Sequence, residues 1–252
     1  MSQSTKNSEK IKEIESNSWK GTENFDVNLN SISEVYEKKW KNYLLQRSIE
    51  DFDLKGKKVI NVGGGHGEEA EFLIKNGIEK VLLIDIAPGQ IESAKIRKKE
   101  HNLHNLLAEV GDAEDLHYDG KKFNLGFIYM ALHHFPSHEK SITEICRVSE
   151  QIIFIDIMNS GLTKFLGLFG LFKEEWCGIK PNRLDERIVN QIMKENNMEM
   201  EIEYFFYPPY YGNSLFLLRT LELFSRFINQ LIRFDVMATI FGNVAIIKGK
   251  AV

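Results

Sequence analysis

The stretch Val59-Ile-Asn-Val-Gly-Gly-Gly-His-Gly67 constrains this chain more than any other. A short β-rich run, Lys58 to Val62, stops at Gly63, Gly64, Gly65, His66 and Gly67, and a helical pattern from Glu68 to Lys75 follows at once. Gly63, Gly65 and Gly67 make a G-x-G-x-G loop between strand and helix. A strand that ends there must turn tightly, and glycine allows this because it lacks Cβ and tolerates positive φ. The same bareness lets a ligand approach the backbone, and amides at a helix start favour an anionic group.

The alternation continues downstream. Val81 to Ile86 is an almost continuous apolar run, as suits a parallel strand covered on both faces. A helix from Pro88 to about Glu100 follows, with proline well placed in its first turn. Leu106–Val110, Phe123–Met130 and Ile152–Ile157 read as further strands, and 137–149 as a helix. Strands alternating with helices at this spacing predict a parallel sheet with helices on both faces. After Asn159 the order changes. Residues 160–180 are aromatic, glycine-rich and aperiodic; 184–196 reads as a helix, 199–207 as a strand, about 212–241 as a long apolar helix, and 243–248 as a final strand. Upstream, Ile32, Val35, Tyr36, Trp40, Tyr43 and Leu44 fall at helical spacing. Residues 1–18 hold few large apolar groups, so residues 1–30 are expected to be a mobile tail or lid and 31–252 a single domain.

Composition sets outer limits. Hydrophobic residues are 43% and charged residues 27% of 252, ordinary for a globular protein, and a net charge of −4 offers no basic excess for nucleic acid. Cys146 and Cys177 are neither a disulfide framework nor a CxxC pair, which implies reduced thiols, a cytoplasmic setting and no structural zinc. The N-terminus has no apolar core of a secretory signal, and no stretch reaches the roughly 18 uninterrupted apolar residues of a membrane span.

Two more strand ends carry ligand-type residues. Asp85 closes the second strand, 18 residues after Gly67, where a carboxylate can accept both hydroxyls of a ribose. Gly111-Asp112-Ala113 closes the third; Asp112 is suited to an adenine amino group, or to a helix N-cap, and Ala113 leaves room for a ring. Three such residues at successive strand ends point to one ligand along one sheet edge.

These motifs resemble those of class I S-adenosylmethionine-dependent methyltransferases, in the group that includes the quinone-biosynthesis-type small-molecule enzymes. The D-x-G-x-G-x-G loop of that family is matched by Asn61 to Gly67, its acidic strand-2 end by Asp85, its G-D-A segment by Gly111 to Ala113, and its strand-4 segment with a Leu-His-His ending by Phe127 to Phe135. The resemblance covers residues 55–158 and implies a Rossmann-like α/β fold: a seven-stranded, mostly parallel sheet with helices on both faces and an antiparallel last strand. It implies S-adenosylmethionine as cofactor, with Asn61, Gly63, Gly64 and Gly65 along its methionine part, Asp85, Ile86 and Gln90 at the ribose and adenine, Asp112 and Ala113 at adenine, and Tyr129 and Met130 on the methyl side. Asn61 replaces the usual acidic residue, Asn124 a common aspartate, and His66 a small hydroxyl residue.

Methyl transfer is an in-line displacement in which the protein aligns the acceptor and excludes water. A base is needed only where the acceptor must lose a proton, and His134 is the candidate by resemblance, with a substrate-shaping role as the alternative. His134 and His138 have the spacing of a helical metal pair, but Pro136 lies between them and no third ligand is evident, so no metal is expected. Tyr36 and Trp40 read as lid or core. The competing functional readings are a nicotinamide-dependent oxidoreductase, which the missing third glycine of G-x-G-x-x-G at Glu68 disfavours, and an inactive cofactor-binding scaffold. Residues 208–242 separate the last two strands, and Arg219, Arg226 and Arg233 repeat there every seven residues. The expectation is that the segments at about 160–183 and 208–242 cap the active site as helical insertions around an apolar, aromatic or lipid-like acceptor. The arginines would meet an acidic group on the acceptor or anionic lipid at a membrane surface; core or dimer interface is the alternative.

Overall fold

A computed structural model describes residues 3–18, 31–169, 182–208 and 214–252. Seven strands form one sheet: β1 (Lys58–Val62), β2 (Lys80–Asp85), β3 (Leu106–Val110), β4 (Phe123–Tyr129), β5 (Ser149–Ile157), β6 (Met198–Phe205) and β7 (Val244–Ala251), in the order β3-β2-β1-β4-β5-β7-β6. The pairs from β3 to β5 are parallel, and β7 runs antiparallel to both β5 and β6. The order reverses between β1 and β4, which opens a crevice at the carboxyl ends of the strands.

Helices cover both faces. Chain order gives α1 (Gln3–Ser18), α2 (Ile32–Ile49), α3 (Glu68–Lys75), α4 (Pro88–Glu100), α5 (His138–Val148), α6 (Gly161–Leu168), α7 (Glu186–Glu195), α8 (Leu215–Leu231) and α9 (Asp235–Phe241). Local chemistry explains several boundaries. Ser31 caps α2 reciprocally with Glu34, Ser137 accepts from the Lys140 amide at the start of α5, and Ser214 from the Leu217 amide at α8. One core layer joins α5 and α7 to Ile60, Ile84, Ile128 and Phe154; the other joins α2, α3 and α4 to Val59, Leu83, Phe127 and Ile155. Alternate residues of the same strands thus feed opposite layers, as a sheet buried on both faces requires.

Three expectations change. Residues 3–18, expected within a mobile tail or lid, form an α-helix docked at the carboxyl ends of the strands. The start of the 160–180 segment is a helix, because Ser160 caps it and accepts from the Thr163 amide. The long helix expected near 212–241 is broken into α8 and α9 at Ile232–Phe234.

Candidate active site

The carboxyl ends of β1, β2, β3 and β4 surround a cavity of about 250 Å³. Gly63, Gly64, Gly65, Asp85, Ile86, Gln90, Asp112, Ala113, Tyr129, Met130 and His134, all singled out from sequence, line it together. Asn61 does not; it lies 1% exposed beneath the glycine loop.

The loop is fastened to β2. Gly63 and Gly64 donate their amides to the Ile84 carbonyl at 2.8 and 3.2 Å, and Gly65 donates to Asp85 Oδ2 at 2.9 Å. These amides therefore hold the turn and are not spare donors for an anion; the glycines contribute space. A Cβ on Gly63 would lie 2.6 Å from Ala131 Cβ, and one on Gly64 would lie 2.5 Å from Asn61 Oδ1. At Gly65, with φ +51, the nearest atom is Gln90 Oε1 at 3.7 Å, so the loop is open on the cavity side.

Asp85 accepts from Gly65 through Oδ2 and from the Ala87 amide through Oδ1, both at 2.9 Å. Burial pushes its carboxyl above the usual range, against those two amides. A carboxylate has about four acceptor sites, so each oxygen keeps capacity for a ligand hydroxyl. Asp112 Oδ1 accepts from the Glu114 amide at 2.9 Å, which leaves Oδ2 on the cavity side.

Two buried acceptors beside the loop have no hydrogen-bond partner among the described residues: Asn61 Oδ1 and Gln90 Oε1. The Asn61 amide nitrogen is used, donating to the Phe127 carbonyl at 3.2 Å, which turns its oxygen toward Gly64. Leaving such groups unpaired costs about 1–3 kcal/mol each. A ligand with donor groups in the cavity would satisfy Gln90 Oε1, and the ammonium and hydroxyl groups of an aminoacyl nucleoside have that chemistry.

The opposite wall comes from α1. Lys12 Nζ pairs with Asp112 Oδ2 at 2.6 Å and Glu114 Oε2 at 2.7 Å, Ser16 donates to the Ile86 carbonyl, and Glu15 lies 3.2 Å from His134 Nδ1. Sequence reasoning missed Lys12 and Glu15 because their partners lie 100 and 119 residues away. Next to His134, the ring of His133 lies with its centroid 4.2 Å away and tilted by 40°, and its Nδ1 is 2.5 Å from Asp156 Oδ1. Asp156 is fully buried and also accepts from the Leu132 and Ile157 amides. Burial alone would raise its carboxyl, but His133 and the two amides hold it below the ordinary value. Asp156 carried a readable signal, a lone carboxylate inside the apolar run 152–157. Met130, at the end of β4, has φ 47, an uncommon conformation for a non-glycine residue and one that clusters at functional sites.

A methyltransferase-domain family model matches residues 53–203, which is more than half of the chain. This chain belongs to the methyltransferase-domain family. The match decides between the two readings of the glycine loop, against the oxidoreductase. The methyltransferase domain is 31% identical over 105 residues to a phthiotriol/phenolphthiotriol dimycocerosates methyltransferase of Mycobacterium tuberculosis (strain ATCC 25177 / H37Ra), covering 42% of this chain and 38% of that one. It is 31% identical over 97 residues to a fatty-acid O-methyltransferase of Mycolicibacterium smegmatis, covering 38% and 34%. The chain thus spans about two fifths or less of the length of the curated relatives it matches. Its fold is shared with geranyl diphosphate C-methyltransferase from Streptomyces coelicolor A3(2), at TM-score 0.66 and 11% identity, covering 96% of this chain and 98% of that one. Magnesium protoporphyrin IX methyltransferase from Synechocystis PCC 6803 gives TM-score 0.60 at 16% identity, with 87% and 85% covered.

Residues 170–181 and 209–213 of the two expected caps lie outside the described residues. Among the described residues, none from 160–183 or 208–242 lines the methyltransferase cavity. Instead α8 packs on α2, with Leu218 against Tyr36 and Lys39 bonded to Glu222, while α9 packs on α6. Tyr36 and Trp40 pack with Tyr207 as core and not as a lid. Cys146 is buried, with burial pushing its thiol up to about 12, and Cys177 lies outside the described residues. Among the described residues, no cluster of three or more His, Cys, Asp or Glu could hold a metal, and no helix is long and apolar enough to cross a membrane.

Proposed function

We propose that this chain is a methyltransferase that uses S-adenosylmethionine to methylate a small, apolar or lipid-like acceptor. The observation that carries the reading is the unpartnered acceptor Gln90 Oε1, on the wall of a cavity where the glycine loop opens onto Asp85 and Asp112. Gln90 and Gly65 would hold the aminoacyl part of the cofactor, with Asn61 supporting the loop from beneath, Asp85 with Ile86 the ribose, and Asp112 with Ala113 the adenine. When bound, the cofactor supplies a sulfonium methyl, already electrophilic.

The remaining work falls to the chain. Tyr129 and Met130 wall the cavity at the end of β4 and would orient the acceptor for in-line approach. Tyr129 is unsuited to be a base, because burial first and then the nearby carboxylates of Glu69 and Glu68 push its hydroxyl well above the usual range. His134 lines the cavity and takes the acceptor proton where one must leave. Glu15 holds its ring from one side and His133, fixed by Asp156, packs on the other. The helix α1 covers the cavity and keeps water from the reacting groups. The lipid-like acceptor is supported by the names of the phthiotriol and fatty-acid relatives. The lack of a basic excess favours a small molecule over nucleic acid, and the reduced-thiol composition is consistent with a cytoplasmic setting.

Calorimetric titration with S-adenosylhomocysteine and, in parallel, with NADH tests the cofactor: binding of the first alone is expected, and binding of NADH alone would overturn the reading. Turnover of methyl-labelled cofactor on a panel of fatty acids, polyketides, phenols and polar metabolites tests the acceptor class. Label in the polar products only would overturn the apolar assignment, and no turnover despite cofactor binding would favour an inactive scaffold.

A further inference from the structure

The helix α8 is apolar on two sides: Leu218 and Ile228 are buried on its inner face, and a second apolar row faces water. Its inward positions include Ser225, which donates to the Phe206 carbonyl, and Asn229, which accepts from the Phe206 amide at 2.8 Å and donates back to the Phe206 carbonyl at 3.0 Å. Those bonds fix the rotation of the helix on the end of β6. With that rotation, Phe216, Leu223 and Phe227, spaced seven and four residues apart and so on one face, stand 77%, 67% and 56% exposed. Leu217 and Phe224 widen the same arc. The neighbouring helices continue it, with Val236 exposed on α9 and Phe165 and Leu168 on α6, which packs against α9. A contiguous apolar surface of this kind marks a contact with something apolar.

Charge decides what that something is. Arg219 and Arg226 are exposed and follow Phe216 and Leu223 by three residues each, so they form a row along one flank of the apolar arc. Among the described residues, neither pairs with a carboxylate, and the carboxylate nearest in α8, Glu222, is taken by Lys39 at 2.6 Å. Arginine has a long apolar stem that can lie along a hydrocarbon surface while its head reaches a phosphate. A second copy meeting this face about a two-fold axis would bring the two arginine rows together with no acid to offset them.

We propose that the outward faces of α8, α9 and α6 dock the protein on an anionic lipid surface, with Phe216, Leu223 and Phe227 entering the interface and Arg219 and Arg226 holding headgroup phosphates. The inference does not depend on which acceptor is methylated. Docking reaches the site through packing: α8 rests on α2 at Tyr36, and Trp40 of α2 packs in the same core layer as the cavity residues Tyr129 and Met130.

The test is vesicle co-sedimentation of the full chain, with phosphatidylcholine vesicles and with phosphatidylcholine rich in phosphatidylglycerol, alongside light scattering for oligomeric state. The expected result is binding to the anionic vesicles and little to the neutral ones. R219E/R226E should bind the anionic vesicles at least about tenfold more weakly, since each basic residue near the surface contributes and its reversal repels. F216S/L223S/F227S should lose binding, with the far-ultraviolet circular dichroism and S-adenosylhomocysteine affinity of both variants unchanged, which keeps failure of docking distinct from failure of the cofactor site. Three results would overturn the proposal: no binding to anionic vesicles, equal binding by wild type and both variants, or a dimer that F216S/L223S/F227S dissociates while vesicles bind neither form.

Discussion

Along β1, Val59, Ile60 and Val62 are buried on both faces of the sheet, whereas along α8 Phe216, Leu223 and Phe227 stand in solvent. Both segments are rich in apolar residues. The difference lies in what each is bonded to. β1 sits at the centre of the sheet with partners on both edges, so both of its faces are covered by helices. α8 emerges beyond the end of β6, the edge strand, where only one side is covered; Leu218 and Ile228 are buried there, and Ser225 and Asn229 fix the rotation by bonding Phe206. An apolar run therefore reports that a segment avoids water, and only its place in the topology tells whether protein or another medium takes the water's place.

If that contrast is right, the sheet edge should resist substitution and α8 should tolerate it. The largest effect is expected from Asp156→Ala. It removes the partner of buried His133 and the acceptor of two amides, and breaking such a pair costs about 3–5 kcal/mol; a denaturant midpoint close to wild type would sink this account of the pair. Gly64→Ala should follow. Its Cβ would meet Asn61 Oδ1 at 2.5 Å and Leu83 Cγ at 2.6 Å, and overpacking of this kind costs about 1–3 kcal/mol. S-adenosylhomocysteine binding should fall with it, and wild-type affinity in a stable Gly64→Ala protein would show that the loop has slack it is not credited with.

Asp85→Ala should weaken S-adenosylmethionine by at least about tenfold, through lost charge-assisted bonds. Since Asp85 also ties Gly65 and Ala87, a thermal melt must accompany the calorimetry; unchanged affinity in a folded variant contradicts the ribose assignment. Glu71 offers a test of pH. Burial opposes its ionisation, but bonds from Lys75, His101 and Arg97 pull its carboxyl from 4.5 down to about 2. A depressed folded pKa means that the stabilisation is complete above about pH 4.5 and is lost as pH falls toward 2. Glu71→Gln should therefore be less stable than wild type at neutral pH, with the gap closing across that window in pH-dependent melts. The smallest effect belongs to α8: Phe216→Ser and Phe227→Ser should each change unfolding free energy by no more than about 0.5 kcal/mol, as surface sites do. A loss of several times that would mean the face is packed in solution.

The same contrast explains what could be read in advance. From Lys58 to Val110 the strands are short, apolar and bounded by Gly, Asp or Pro signals, so local chemistry and topology agree, and the cavity residues from Gly63 to Ala113 were legible by their positions at strand ends. Beyond Asn159 that agreement fails. The span of α8 was legible as a helix, but not its rotation, because the bonds that set it come from Ser225 and Asn229 to the backbone of Phe206, about twenty residues away. Lys12 and Glu15 were illegible for a similar reason: their helix has few large apolar side chains, and its docking rests on ion pairs to residues of β3 and β4 ends that only the fold brings near.

Those ion pairs have a kinetic side. Lys12 bonds Asp112, the carboxylate proposed to take adenine, so α1 and an incoming adenine would meet at one carboxylate. The helix is part of the same chain, joined through residues 19–30, and so its local concentration stays fixed however dilute the protein becomes. At the proposed site, exchange of cofactor for product would require α1 to lift, and a helix outside the sheet would then bear on the pace of turnover.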